Sequence, residues 1–78
     1  MKLDIYSPQE VVFSGEVDAV FFPGSAGAFE VLKNHAPIVS TLSCGDIRYR
    51  VDGKEESIHV TGGVVRNENN SMVVCIEK

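Results

Sequence analysis

Asp46-Ile47-Arg48-Tyr49-Arg50-Val51-Asp52-Gly53-Lys54-Glu55-Glu56-Ser57-Ile58-His59-Val60-Thr61 is the stretch that decides the fold. Asp52-Gly53 tolerates the positive φ angles that a tight hairpin turn demands, so the residues on either side read as two strands, 46–51 and 55–61. In the second, Ile58 and Val60 alternate with Ser57, His59 and Thr61. That period of two turns one face of a strand to a core and the other to water.

The same period recurs towards both ends of the chain. Leu3 and Ile5 alternate with Lys2, Asp4 and Tyr6, while Met72, Val74 and Ile76 share one face and Val73, Cys75 and Glu77 the other. Further strands are predicted over 2–7, 10–14, 16–22, 28–32, 38–43, 64–67 and 72–77, with corners at Gly24, Gly27, Gly45, Gly62-Gly63 and Asn69-Asn70. No segment reads as a helix. The expected class is all-β: one domain over residues 1–78, a flattened β-sandwich or barrel of about ten short, mostly antiparallel strands.

Composition narrows the function. The 78 residues carry 11 acidic and 7 basic side chains, a net charge of -4, and no two Lys or Arg are adjacent. Such a chain lacks the footprint needed to neutralise phosphates, which excludes nucleic acid as a partner. The longest apolar run, Ala19 to Pro23, is far short of the roughly 20 residues of a membrane-spanning helix. Met1-Lys2-Leu3-Asp4 does not open a signal peptide, so a soluble, cytoplasmic chain is expected. Cys44 and Cys75, 31 positions apart, form neither a CxxC nor a zinc pattern and read as two buried thiols.

Catalytic patterns are weak. Gly53-Lys54 runs into Glu55-Glu56, where a phosphate loop would carry Ser or Thr. Ser40, Ser43 or Cys44 could meet His35 or His59 as nucleophile and base, but nothing in the sequence places them together. His59 falls on the polar phase of its strand and reads as solvated. His35 precedes Ala36-Pro37, where proline keeps Ala36 out of the helical region; the ring either presents itself for recognition or closes a turn onto backbone. The carboxylates of Asp4, Glu10, Glu16, Asp18 and Glu30 are dispersed. Apolar residues at Val11–Phe13, Val20–Phe22, Phe29, Val31-Leu32 and Ile38-Val39 exceed what one sheet face absorbs, so some belong to a second core face or to a partner-facing patch.

Taken in order, Leu3-Asp4-Ile5-Tyr6-Ser7-Pro8, Phe13-Ser14-Gly15-Glu16-Val17, Pro23-Gly24-Ser25-Ala26-Gly27, His35-Ala36-Pro37-Ile38, Gly45-Asp46-Ile47-Arg48-Tyr49 and Val60-Thr61-Gly62-Gly63-Val64-Val65 resemble the N-terminal domain of the F-type ATP synthase epsilon subunit. The resemblance spans almost the whole chain. It implies a non-catalytic rotor subunit that docks the gamma subunit onto the c-ring and meets the catalytic alpha/beta assembly through gamma. Such a subunit is peripheral to the membrane, on the cytoplasmic face of the bacterial plasma membrane, and helps couple proton flow to ATP synthesis. No cofactor, metal or small-molecule substrate is implied. The family pattern maps the c-ring contact onto Ala28, Phe29, Glu30 and His35, and the gamma contact onto Ser7, Ile38, Val39 and Ser40.

Three departures mark the c-ring stretch: Ala28 stands where the family carries an acid, Glu30 replaces a glycine and Lys33-Asn34 replaces Pro-Gly. Because a strand repeats every second residue, Glu30 keeps the facing of the displaced carboxylate. The family's C-terminal helical hairpin has no counterpart before Lys78, and this chain is expected to show neither extended-arm inhibition nor a nucleotide site. One alternative of another class is a lipoyl- or biotinyl-type carrier modified on Lys54, displayed beside the Asp52-Gly53 turn.

Overall fold

The computed structural model describes residues 1–77. Nine strands are present among them: β1 (Lys2–Tyr6), β2 (Val11–Glu16), β3 (Ala19–Phe22), β4 (Phe29–Leu32), β5 (Ile38–Leu42), β6 (Gly45–Val51), β7 (Lys54–Val60), β8 (Gly62–Glu68) and β9 (Ser71–Glu77). They form a five-stranded sheet, β2-β1-β9-β8-β5, and a four-stranded sheet, β4-β3-β6-β7. All pairings are antiparallel except that of β1 with β9, which is parallel. Both sheets are open, so the sandwich alternative holds and the closed barrel does not. An isolated bridge, Gly24 to Leu42, links them at one end.

Local chemistry explains the corners. Asp52 (φ 50°) and Gly53 (φ 78°) join β6 to β7, and Asn69 (φ 52°) and Asn70 (φ 59°) join β8 to β9, as the left-handed pairs of two-residue hairpins require. The expected strand 16–22 is broken. Glu16 ends β2, Val17 N–H donates to the Met1 carbonyl at 2.8 Å, and Asp18 N–H donates to the Arg50 carbonyl at 2.8 Å. The chain thus changes sheets at Val17-Asp18, which an unbroken apolar-rich run does not reveal.

The core lies between the sheets. Leu3, Ile5, Val65, Met72, Val74 and Ile76 from one side meet Val20, Phe22, Val31, Ile47, Tyr49 and Val60 from the other, all at most 7% exposed. Phe13 stacks on Tyr49 with centroids 4.5 Å apart, and Phe22 on Phe29 at 5.4 Å. The thiols are not part of this core. Cys44 and Cys75 are both exposed, because Cys75 takes the outward phase of β9 and Cys44 sits on the bend before β6. Lys54 is the first residue of β7 and pairs with Val51, while Asp52-Gly53 forms the tip. A carrier lysine belongs at the tip itself, so the Lys54 carrier reading is dropped.

Candidate docking surfaces

Strand period and register assemble a surface that no single segment contains. On the outer face of the five-stranded sheet, Val11, Tyr6, Cys75, Val64 and Thr41 are successive cross-strand partners in one row. Asp4, Val73, Arg66 and Val39 are partners in the next. Val39 (69% exposed), Val11 (57%), Val64 (45%), Tyr6 (39%) and Val73 (39%) make this an apolar band across all five strands. Because the fold leaves these side chains facing water, they contribute little to its stability and remain available to bury against a partner.

Of the residues mapped to the gamma contact, Val39 lies in this band. Ile38 and Ser40 take the opposite phase of β5 and are half-buried towards the core side. Ser7 is half-buried in the turn after β1: its N–H donates to the Glu10 carbonyl at 2.9 Å, and its Oγ accepts from Glu10 N–H at 3.3 Å. The Val39 end of the band borders a recess lined by Pro37, Ile38, Val39, Arg66, Asn67 and Glu68. Asn67, 2% exposed, reaches back with Nδ2 towards the His35 and Ala36 carbonyls at 3.5 and 3.4 Å. Its Oδ1 is buried and finds no donor among the described residues. Buried acceptors ordinarily carry a partner.

The residues mapped to the c-ring contact divide between the two ends of β4. Ala28 is exposed just before it, Phe29 turns inward onto Phe22, and Glu30 is exposed on the outer face of the four-stranded sheet. Glu30 pairs with Phe21, which in turn pairs with Arg48, whose guanidinium lies 5.1 Å over the Phe21 ring. His35 follows the other end of β4, in the turn that its own N–H closes onto the Leu32 carbonyl at 3.1 Å. Its Nδ1 lies 2.8 Å from the Ala36 carbonyl, so the ring closes onto backbone. Asn34, at φ 65°, takes the left-handed conformation that asparagine tolerates better than most residues.

One nucleophile–base pairing left open by the sequence is met. Cys44 Sγ lies 3.8 Å from His59 Nε2, and His59 Nδ1 lies 2.8 Å from Asp46 Oδ1. No group of three or more His, Cys, Asp or Glu among the described residues is arranged to hold a metal ion. Among the described residues, no helix is long and apolar enough to cross a membrane.

The comparisons agree with this architecture. The family described as the ATP synthase delta/epsilon chain β-sandwich domain matches residues 1–78. The chain is 39% identical over 77 residues to an ATP synthase epsilon chain of Leptospira interrogans, covering 99% of this chain and 61% of that one. It is also 39% identical over 77 residues to an ATP synthase epsilon chain of Chlorobium limicola, with 97% and 88% covered. A chain in the structure of the Tetrahymena thermophila mitochondrial ATP synthase central stalk and c-ring superposes with a TM-score of 0.83 at 12% identity, covering 99% of this chain and 63% of that one; that likeness is one of fold. A match over the whole sequence, on a two-sheet sandwich whose elements fall in the order the motifs require, shows that this chain belongs to the ATP synthase delta/epsilon chain β-sandwich family.

Proposed function

We propose that this chain is a non-catalytic central-stalk subunit of a proton-translocating rotary ATP synthase, joining the gamma subunit to the c-ring at the cytoplasmic face of the bacterial plasma membrane. The observation that carries the reading is the apolar band of Tyr6, Val11, Val39, Val64 and Val73. A subunit that transmits torque needs a broad, firmly held interface, and a band crossing five hydrogen-bonded strands offers one on a backing that resists shear. Gamma is assigned to this face, including Val39 with Ile38, Ser40 and Ser7 at its margins. The c-ring is assigned to the region of Ala28, Phe29 and Glu30, with His35 at the far end of the same strand. Family membership supports the central-stalk reading on which both assignments rest.

The test is retention of partners. A C-terminally tagged chain, expressed in cells making the synthase and recovered in mild detergent, is expected to bring down gamma with the c-ring and catalytic subunits. A Val39→Glu, Val64→Glu chain is expected to lose gamma and the catalytic subunits while remaining folded. Recovery of no synthase subunit by the folded, unsubstituted chain would overturn the reading.

A further inference from the structure

Cys44, Asp46 and His59 stand together because of hairpin register. Asp46 on β6 lies directly opposite His59 on β7, and Cys44, two residues before Asp46, shares its outward phase. The imidazole therefore sits between a carboxylate and a thiol, 2.8 Å from Asp46 Oδ1 through Nδ1 and 3.8 Å from Cys44 Sγ through Nε2. An ionised carboxylate only accepts, so Nδ1–H donates to Asp46 and Nε2 turns its lone pair to the thiol. Nucleophile, base and orienting group in that order are the parts that activate a cysteine.

Folding stability does not account for the arrangement. The His59 and Asp46 side chains are 65% and 55% exposed, and a pair that open contributes at most about 1 kcal/mol. Exposure also defines the reagent. Three side chains on an open sheet face meet small molecules from solvent and do not enclose a substrate, so the chemistry that fits is attack on a small, soluble electrophile.

We propose that Cys44 is a thiol–disulfide exchange site that takes up a small disulfide of the glutathione class. His59 Nε2 accepts the Cys44 proton as Sγ attacks one sulfur of the disulfide. A new S–S bond forms to Cys44, the old S–S bond breaks, and the departing thiolate leaves as a free thiol with the proton from His59. Cys44 is oxidised to the mixed disulfide and half of the reagent is reduced, so no further oxidant is needed. The site lies at the same end of the sandwich as Ala28, since Ser43 N–H donates to the Pro23 carbonyl at 2.8 Å. An adduct would stand beside the surface assigned to the c-ring. That consequence rests on the docking reading; the exchange chemistry does not.

Cys75 is the internal comparison, being also exposed but flanked across the strands by Tyr6 and Val64. The reduced chain is treated with oxidised glutathione at pH 7 and the adduct at each cysteine followed by peptide mass spectrometry. Cys44 is expected to react about tenfold faster than Cys75, less than the roughly hundredfold or more of base assistance in an active site because this one is open to solvent. His59→Ala, or His59→Gln if the first variant misfolds, should bring Cys44 to the rate and pH profile of Cys75 without changing Cys75. Asp46→Asn should slow Cys44 by a smaller factor, as a positioning residue would. Equal rates at the two thiols of the unsubstituted chain, or a Cys44 rate indifferent to His59, would overturn the proposal. Loss of partners in the pull-down would leave these rates unchanged, so the two readings fail separately.

Discussion

Gly63 combines a φ of 154° with a backbone contact that excludes any side chain: a Cβ there would lie 2.5 Å from the Cys75 carbonyl oxygen across the β8–β9 ladder. The neighbour is main chain in the middle of a sheet, so it has nowhere to yield. Gly63→Ala is expected to cost about 2–3 kcal/mol, lowering the Tm by roughly 10–20 °C. Gly53, at φ 78° with nothing within 4 Å of its Cβ position, should cost only about 1 kcal/mol on the same substitution, and urea denaturation of the two variants separates clash from conformation. Tyr49 supplies a pH dependence. Burial, and then the Glu56 carboxylate across the strand, raise its pKa above the ordinary value of 10.0. The unfolded phenol therefore ionises first, so its contribution is full below about pH 10 and is lost as the pH climbs towards the folded value. Alkaline unfolding of Tyr49→Phe should show a shallower fall over that window than the unsubstituted chain. Residue identity was legible where one phase decided it: Leu3, Ile5, Met72, Val74 and Ile76 are in the core as their alternation predicts. The cysteines were not, because a thiol's general preference for burial conflicts with the outward phase that Cys75 shares with Val73.

Two asparagine corners hold neighbouring elements together at the end of the sandwich where β8 turns into β9. Asn34 N–H donates to Asn70 Oδ1 at 2.7 Å, and Asn70 Nδ2 donates to Asn34 Oδ1 at 3.0 Å, clasping the β4–β5 turn to the β8–β9 turn. Each residue is already committed to a left-handed backbone, so the amides are presented without further ordering. Asn70→Ala breaks both bonds and gives up a favoured left-handed residue, which should cost about 1–2 kcal/mol and speed amide exchange of His35 more than that of β6. The strands themselves were largely legible. Asp52-Gly53 and Asn69-Asn70 marked two hairpins correctly, whereas the sheet change at Val17-Asp18 was hidden because its pairing partners, Met1 and Arg50, are remote in sequence. Once Asp52-Gly53 is taken as a two-residue turn, counting outward pairs Val51 with Lys54 and, five steps further, Asp46 with His59. The Asp46–His59 pairing is therefore written in the register of the hairpin and in neither strand alone.

The apolar band belongs to the whole molecule, since it draws Val11, Tyr6, Val73, Val64 and Val39 from five strands, and neither a chain-order motif nor a local period displays it. Its position also separates the two proposed contacts. Val39 and Val64 point outward from the five-stranded sheet, and Glu30 points outward from the four-stranded sheet, with the core between them. Packed sheets stand about 10 Å apart, and side chains on their opposite outer faces share no neighbours. Substitutions at such separated sites act independently. All three residues are on the surface, so charge changes there should alter stability by no more than about 0.5 kcal/mol each. Val39→Glu with Val64→Glu is then expected to release gamma from the tagged chain whatever residue stands at 30. Glu30→Lys should leave purified gamma bound and weaken retention of purified c-ring, with the loss greatest at low ionic strength, where charge contacts are least screened. Binding each partner separately to the immobilised chain measures this directly. Equal loss of both partners from either substitution would mean that gamma and the ring share one face, and that Glu30 has not taken over the displaced carboxylate's role.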